Sequence, residues 1–504
     1  MSQSVAPQAD PNRWKALGFI ALAQLMVVLD ATIVNIALPS AQKALGFSDT
    51  QRSWVITAYA LAFGGLLLFG GRIADLWGRR RTFMVGLVGF AAASAIGGAS
   101  QSFGMLVGAR ALQGAFGALL APAALSLLTV MFTEAQERAK AFGIYGAVAG
   151  GGGAIGLILG GVLTEYLNWR WTFYINVPFA IIAVAGAILV IREPAGGLNR
   201  NRLDIPGVLL VSSGLVALVY GFTKASETSW GNGTTIGLFV AAAVLLTAFV
   251  IVESRVSAPL LPLRVVLDRN RGGSYLALGL AIIGMFGLFL FLTYYMQNIL
   301  GYSPVKTGVA FLPMVAGMIT GSTQIGARLM NRLPARFLMA PGFLVAAVGM
   351  SILTQIKIDS SYWLILPGLV LMGLGMGTAF MPAMSLATFR VRPTDAGVAS
   401  AMVNTSQQVG GAIGTAALST VAASATKGYF ASHPITQSTP LPLQKLTLAQ
   451  AQVHGFTHAI WWSFGFLLVA AAISAVLLNG GGAQNTQAAA GADGEVADVP
   501  VMAH

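Results

Sequence analysis

The sequence contains no cysteine, and only 9% of its 504 residues are charged. The absence of cysteine excludes disulfide bonds, thiolate metal sites and cysteine nucleophiles. Soluble proteins typically carry about a quarter charged residues, so the low content argues against a soluble domain. The chain also has no G-x-x-x-x-G-K-[ST] segment, which argues against ATP as an energy source.

Hydrophobic residues are abundant instead, at 56% of the chain. Apolar runs of about twenty residues recur along the sequence, and each is long enough to cross a hydrocarbon core ~30 Å thick. This pattern predicts an all-α polytopic membrane protein with fourteen transmembrane helices. The predicted spans are 16–38, 54–76, 83–100, 104–131, 141–164, 172–191, 205–222, 234–252, 275–298, 306–330, 337–356, 362–385, 398–424 and 457–479.

Basic residues indicate how these spans are oriented. Most of the 29 Lys and Arg residues fall in loops and tails on the side of residue 1, and such an excess marks the cytoplasmic side. We therefore expect a multi-pass protein of the cytoplasmic membrane with both termini in the cytoplasm. Residues 1–15 lack the features of a signal peptide, so we expect the first span to remain as an anchor. The net charge of +12 follows from this orientation and needs no nucleic-acid partner.

A short basic segment occurs twice at corresponding places. "GRIADLWGRRR" (71–81) follows the second span, and "ARLMNRLPAR" (327–336) follows the tenth. Repeats of this kind are typical of secondary transporters, whose substrate site lies between the two halves. We predict a cytoplasmic tail at 1–15, a six-helix bundle at 16–191, two additional linker helices at 205–252, a second six-helix bundle at 275–479 with an extracytoplasmic loop at 425–456, and a disordered cytoplasmic tail at 480–504.

The carboxylate of Asp30 lies inside the first span, in "VVLDATIVNIALPS" (27–40), where ionisation is costly. It should lie ~12 Å below the outer end of its span, and Arg110 on the fourth span should lie ~9 Å below the same surface. Burial favours a neutral acid and a nearby guanidinium favours a carboxylate, so the pair suits a group that gains and loses a proton. The alternative is a fixed ion pair between two helices. We favour proton coupling because a purely structural pair is costly in lipid.

Two glycine-containing motifs are candidates for conformational roles. The loop residues Gly71, Asp75, Gly78, Arg79 and Arg80 place a carboxylate at a helix end beside arginines, an arrangement that can form in one state and break in another. The alternative is that the arginines only anchor the loop at the membrane surface. On the fifth span, small residues permit close helix approach, as static packing or as a sliding contact. These residues are Gly143, Gly152, Gly156, Gly160 and Gly161.

Polar amides and aromatic side chains inside the spans are candidates for substrate binding. Amides at mid-depth bond across helices or line a wet cavity. Aromatic residues suit apolar ligands of variable shape, although they also suit contact with lipid. His454 and His458 have no third ligand in reach by sequence, so we predict no metal site. The predicted substrate residues are Asn35, Gln113, Phe286, Phe289, Tyr294, Asn404 and Gln407.

Four of these segments together resemble the motifs of a known family. "LDATIVNIALP" (29–39), "GRIADLWGRRR" (71–81), "RALQGAFGA" (110–118) and the glycines of the fifth span resemble the major facilitator superfamily. Their order and the fourteen spans are similar to its drug:proton antiporter branch. The resemblance implies that Asp30 takes part in proton and cation coupling, that Arg110 takes part in proton transfer, and that residues 71–80 take part in the conformational switch. The chain departs from the fifth-helix motif at Leu157, where the family has proline.

The sequence therefore predicts a proton-coupled exporter that works by alternating access. Its expected substrates are amphipathic or cationic small molecules such as antibiotics, with protons as the coupling ion, no other cofactor and a monomeric state. The alternative on the same fold is a proton-coupled exporter or importer of a metabolite, amino acid or lipid. A membrane-embedded enzyme or receptor would need a cluster of polar catalytic groups at one depth or a sizeable soluble domain. The sequence shows neither, so we predict no enzymatic activity.

Overall fold

The computed structural model describes residues 11–49, 51–132, 135–191, 204–256, 259–330, 332–387, 391, 396–434 and 440–478. The predicted tails therefore lie largely outside the described residues. The long helices are α1 (Arg13–Leu45), α2 (Arg52–Trp77), α3 (Arg79–Gly98), α4 (Phe103–Met131), α5 (Ala135–Val162), α6 (Trp171–Val190), α7 (Ile205–Glu227), α8 (Gly233–Arg255), α9 (Arg269–Ile299), α10 (Pro304–Leu329), α11 (Arg336–Leu353), α12 (Tyr362–Ala387), α13 (Ala396–Ser432) and α14 (Leu441–Leu477).

Glycine and small polar residues set several of the helix ends. Gly46 ends α1 in the left-handed conformation at φ 67°, which glycine adopts without a steric penalty. Gly78 separates α2 from α3 at φ 105°. Ser102 begins α4 by accepting a hydrogen bond from the backbone N–H of Met105, as an N-cap serine does.

The helices pair in a pattern that occurs twice. In the first part of the chain, α1 packs on α5 and α6, α2 on α4, and α3 on α4 and α6. Eight helices later, α9 packs on α13 and α14, α10 on α12, and α11 on α12 and α14. Between these two sets, α7 packs on α8, α13 and α2. The same order of pairing therefore occurs in the first and the last six helices, and the division into two bundles with two linker helices stays a prediction.

Length and composition agree with a membrane protein. Among the described residues, 12 helices are long and apolar enough to cross a bilayer, and shorter apolar segments occupy Arg52–Leu67 in α2 and Gly151–Leu167 at the end of α5. The regular structure of the described residues is helical throughout. The prediction of an all-α polytopic membrane fold is therefore confirmed, while the count of fourteen spans stays a prediction.

The segment 425–456 differs from the loop that the sequence predicts. Helix α13 continues to Ser432, and α14 already begins at Leu441, directly after Pro440. Prolines in this stretch indicated a loop, but proline is well tolerated at the first turn of a helix. The residues that follow are rich in Leu, Gln and Ala, which favour helix. Helices α13 and α14 therefore extend well beyond the predicted spans, and residues 435–439 between them lie outside the described residues.

Helix α10 is also less regular than its predicted span at 306–330. It consists of helical segments at Pro304–Ala310, Leu312–Thr320 and Ala327–Leu329, with a π-helical turn at Gly321–Gly326. Glycine at both ends of that turn lowers the cost of irregular backbone.

We call the end of the molecule at which α1 ends and α2 begins the distal end. The proximal end is the opposite one, where α1 begins.

Candidate functional site

Asp30 lies in the middle of α1 and forms an ion pair with Arg110 of α4. The distance from Arg110 Nη1 to Asp30 Oδ2 is 2.5 Å, and the side chains are 2% and 0% exposed respectively. The predicted proximity of the two residues is confirmed. Because both charges are removed from solvent, each depends on the other for compensation.

Two amide side chains complete the surroundings of the carboxylate. Gln113 Nε2 of α4 and Asn176 Nδ2 of α6 both donate to Asp30 Oδ1, at 2.9 Å and 2.8 Å. Both amides also donate to Ser94 Oγ of α3, at 3.0 Å and 2.8 Å. Ser94 in turn donates to the carbonyl oxygen of Phe173 at 2.8 Å. We call Asp30, Ser94, Arg110, Gln113 and Asn176 the Asp30 network.

Helix α2 closes the network on the side of the guanidinium. Arg110 Nε donates to the carbonyl oxygen of Val55 at 3.0 Å, and Arg110 Nη1 donates to Gln113 Oε1 at 3.0 Å. The guanidinium carbon lies 4.3 Å from the centre of the Tyr59 ring, within the range of a cation–π interaction. The Tyr59 hydroxyl is buried and has no hydrogen-bond partner. The hydroxyl could therefore donate or accept a hydrogen bond if the side chains around it changed position.

The carboxyl oxygens of Asp30 accept three hydrogen bonds, one of them from the guanidinium of Arg110. Removing the charge on Asp30 would leave Arg110 without its ionic partner in a water-poor site, which favours a change of contacts around it. The Asp30 network and the Val55 carbonyl thus join five helices, α1, α2, α3, α4 and α6.

Sequence reasoning placed some of these residues correctly and missed others. Gln113 was predicted to bind substrate, but in this conformation it belongs to the Asp30 network and is fully buried. Ser94, Asn176 and Tyr59 were not predicted. Ser94 and Asn176 are polar residues within otherwise apolar spans, which was the available signal.

Asn35, a predicted substrate residue, donates from Nδ2 to the carbonyl of Ala31 on its own helix, and its buried Oδ1 has no hydrogen-bond partner.

The first turn of α3, which contains Arg79 and Arg80 of the predicted loop motif, is attached to the end of α6. Arg80 donates to the carbonyl oxygens of Ala187 and Ile188, at 3.3 Å and 2.9 Å. These carbonyls belong to the last turn of α6, where a positive charge is favourable. A Cβ at Gly71 would lie 3.6 Å from Pro122 of α4. Arg79 is partly buried, and the side chain of Asp75 lies outside the described part of the structure.

The glycines of α5 lie against two different helices. A Cβ at Gly152 would lie 3.1 Å from Leu25 and Val28 of α1, and one at Gly160 would lie 3.0 Å from the backbone of Ile33. A Cβ at Gly156 would overlap the side chain of Thr32. Gly161 faces α10 instead, where a Cβ would lie 2.7 Å from Val305. The glycine face therefore permits close contact with α1, and the surroundings of Gly143 lie outside the described residues.

The aromatic residues of α9 occupy two different places. Phe289 packs on Phe311 with ring centres 5.0 Å apart, and a Cβ at Gly411 of α13 would lie 3.1 Å from the ring of Phe286. Tyr294 is instead buried at the distal end, where its hydroxyl donates to Gln42 Oε1 at 2.5 Å. On α13, Asn404 and Gln407 are both partly buried.

The contacts around Tyr294 join the two six-helix sets at their distal ends. The guanidinium carbon of Arg52 lies 4.3 Å from the Tyr294 ring centre, with Phe291 and Phe456 at 5.7 Å and 5.5 Å. Gln297 Nε2 donates to the carbonyl of Ile36 at 3.0 Å. Between α5 and α10, the backbone N–H of Val305 donates to Glu165 Oε2 at 2.9 Å. We call this set of interactions the distal contact.

Comparison with known proteins identifies the family. The model of the Major Facilitator Superfamily matches residues 20–415, most of the chain. The chain belongs to this superfamily. Its fold agrees with a bacterial homologue of the human lysosomal transporter Spinster in an inward-facing, occupied conformation, with a TM-score of 0.67, 17% identity, and coverage of 93% of this chain and 97% of that one.

Several curated relatives are antibiotic resistance and export proteins. The puromycin resistance protein of Streptomyces alboniger is 53% identical over 93% of this chain and 92% of its own. The cephamycin export protein of Amycolatopsis lactamdurans is 40% identical, covering 82% and 86%. The lincomycin resistance protein of Streptomyces lincolnensis is 34% identical, covering 80% and 83%. The chain is thus a multi-pass membrane transporter similar to drug exporters.

Among the described residues, no group of three or more His, Asp or Glu side chains is arranged to hold a metal ion. The rings of His454 and His458 lie 4.2 Å apart on α14, and His458 Nδ1 is 2.8 Å from the carbonyl oxygen of His454. This second contact therefore joins two residues one helical turn apart.

Proposed function

We propose that this transporter exports an antibiotic from the cytoplasm in exchange for protons. The observation that supports the coupling is the buried ion pair between Asp30 and Arg110, because ionisable residues inside a membrane are costly and therefore mark functional sites such as proton relays. The relatives that resist or export puromycin, cephamycin and lincomycin support the substrate class. Puromycin is the first compound to test, because the relative that confers resistance to it is 53% identical to this chain.

The coupling proceeds through a change in the charge of Asp30. With the carboxylate ionised, the Asp30 network holds α1, α3, α4 and α6 together around it, as the hydrogen bonds describe. A proton arriving from outside neutralises Asp30, weakens its attraction for Arg110 and frees the guanidinium to take other partners. Each charge that moves inward across ~100 mV supplies about 2.3 kcal/mol.

The distal contact forms the closed gate of the alternating-access cycle in this conformation. Arg52 is seated among three aromatic rings of the second six-helix set, and Tyr294 bonds to Gln42 of the first set. If the distal end faces outward, as the charge distribution predicts, the described state is closed to the outside. Export then requires these contacts to separate while the proximal ends of the two sets approach each other.

The decisive experiment compares Asp30→Asn with Asp268→Asn in an antibiotic-sensitive host. Asp268 is an exposed carboxylate at the N-cap of α9, and asparagine also serves as an N-cap, so this control makes the same change of charge outside the Asp30 network and the distal contact. Asp30→Asn should abolish puromycin efflux and resistance at an unchanged amount of protein in the membrane, whereas Asp268→Asn should retain most of both. A protonophore should abolish the difference in puromycin efflux between cells that carry the active protein and cells that do not.

Two results would contradict the proposal. Full efflux by Asp30→Asn would remove Asp30 from proton coupling. Uptake of the compound that increases with expression of the protein, and falls on addition of protonophore, would show import rather than export.

A further inference from the structure

Two buried acidic residues lie far from the Asp30 network along the chain, in the two helices between the six-helix sets. Asp204 is the N-cap of α7 and is 6% exposed, while Glu253 lies in the last turn of α8 and is 3% exposed. Asp204 Oδ1 accepts a hydrogen bond from the backbone N–H of Gly207 at 2.9 Å. Glu253 Oε2 accepts one from the backbone N–H of Leu261 at 2.9 Å.

The other oxygen of each carboxyl group has no hydrogen-bond donor. Asp204 Oδ2 and Glu253 Oε1 are both buried without a partner. They lie side by side next to Gly207, because a Cβ added there would overlap Asp204 Oδ2 and lie 2.7 Å from Glu253 Oε1. Glycine at 207 is therefore required by the approach of the two carboxyl groups.

Two ionised carboxylates in this position would repel each other, since neither free oxygen has a hydrogen-bond donor among the described residues. The titratable group that lies beside Glu253 at the start of α7 is Asp204. The other elements packed here present apolar side chains, from Val208 on α7, Leu260 and Leu261 after α8, and Leu66 and Phe69 on α2. A single proton between the adjacent oxygens removes the repulsion and supplies the missing hydrogen bond.

We propose that Asp204 and Glu253 share one proton and form a second proton-binding site, separate from Asp30. The shared proton joins the start of α7 to the end of α8 and, through the Leu261 N–H, to the connection that leads to α9. That connection packs by Leu260 and Leu261 against α2 and α13, the helices that meet across the two six-helix sets. Loss of the proton would separate the carboxyl groups and loosen this connection at the proximal end.

The test measures proton binding on the purified full-length protein in detergent and does not depend on transport. The infrared carbonyl band of a protonated carboxyl group should be present at neutral pH in the wild type and in Asp30→Asn, and lost in Glu253→Gln. A glutamine at 253 can donate its amide to Asp204, so the fold should persist without the proton. Asp204→Asn is the second variant, because asparagine also serves as an N-cap.

Thermal unfolding against pH gives an independent readout. The folded dyad keeps a proton that the separated carboxyl groups of the unfolded chain release, so wild-type stability should fall as pH rises from mildly acidic to alkaline. In Glu253→Gln, the decrease in stability with rising pH should be smaller by the amount that corresponds to about one bound proton. Asp268→Asn, at an exposed N-cap where Oδ1 likewise accepts backbone N–H groups, should follow the wild-type curve.

The proposal is overturned if the carbonyl band is the same in wild type, Glu253→Gln and Asp204→Asn, or if both variants keep the pH dependence of the wild type. A band that disappears only in Asp30→Asn would place the proton at Asp30 and also reject the dyad. Normal puromycin efflux by Asp30→Asn would reject the proposed coupling but leave the dyad intact, so the two failures are distinguishable.

Discussion

The first and last sets of six helices share one pattern of pairing but differ in what fills the space between the helices. In the first set, α1, α3, α4 and α6 meet around the buried Asp30 network. In the last set, the same pairing of α9 with α13 and α14 encloses aromatic and methionine side chains. Among the described residues, the buried charged side chains all precede residue 254 and are Asp30, Arg52, Arg110, Asp204 and Glu253.

The two sets therefore contain different kinds of side chain on a similar arrangement of helices. Buried charges are costly and respond to a proton, whereas aromatic residues and methionine adapt to apolar ligands of different shape. We propose that the first set carries proton coupling and the last set carries substrate recognition. Substitutions in each set test this division, and the largest effect is expected at Arg110.

Replacement of Arg110 by alanine should be the most damaging change. It leaves Asp30 as a buried charge without its partner, which costs about 3–5 kcal/mol of stability, and it should abolish efflux. Thermal unfolding in detergent and antibiotic efflux from cells measure the two effects. Arg269→Ala removes an exposed arginine from the last set, bound to the carbonyl of Val476, and should leave both nearly unchanged.

The double variant Asp30→Asn with Arg110→Ala sharpens this result. It removes both charges together, so it should recover part of the lost stability without recovering efflux. If Arg110→Ala alone is as stable as the wild type, the ion pair does not hold the first set together.

Two buried serines allow a matched comparison of the sets. Ser94 accepts from two amides and donates across helices, whereas Ser463 donates to Ala459 on its own helix at 3.0 Å. Ser94→Ala leaves buried amide donors unsatisfied and should cost about 1–3 kcal/mol, with slower efflux. Ser463→Ala should cost less. Equal losses in the two unfolding experiments would mean that the network contributes nothing beyond ordinary packing.

Replacement of Arg52 by glutamine should loosen the distal contact. Cation–π interactions are worth roughly 0.5–2 kcal/mol, so the population open at the distal end should rise. Because the chain has no cysteine, a single cysteine at Ile36 can report this change through its rate of labelling. Arg170→Gln, in an arginine that binds the carbonyls of Gly98 and Ser100 within the first set, is the control. A labelling rate unaffected by Arg52→Gln would separate Arg52 from the gate.

Replacement of Phe286 by leucine should have the smallest effect on the protein and the most selective effect on transport. The change is tolerated in a packed site at a cost below about 1.5 kcal/mol, yet it reshapes the surface beside Gly411. Resistance to puromycin, lincomycin and a cephamycin should shift by different factors. Asp30→Asn should instead lower all the resistances that the protein confers by a similar factor. A parallel loss in Phe286→Leu would argue against a role of the last set in selectivity.

The pairing of Asp30 with Arg110 could be predicted because both residues are charged, lie in long apolar helices and fall at one depth. The contributions of Ser94 and Asn176 could not be predicted in this way. Their spans are identifiable, but the rotation of α3 and α6 about their axes depends on packing with α4 and α1. The same limit applies to Gln113, which composition marked as polar and buried without saying which residue it would contact.

The sequence by itself determined the membrane class, the helical fold and the identity of the charged residues, because a bilayer accepts only long apolar helices and tolerates few charges. Tertiary structure alone decided which of those charges meet. Asp204 and Glu253 are separated along the chain by two helices, and their adjacent oxygens result from the packing of α7 on α8. Hydrophobic periodicity sets how many helices form, whereas contacts between polar atoms depend on positions that only close packing fixes.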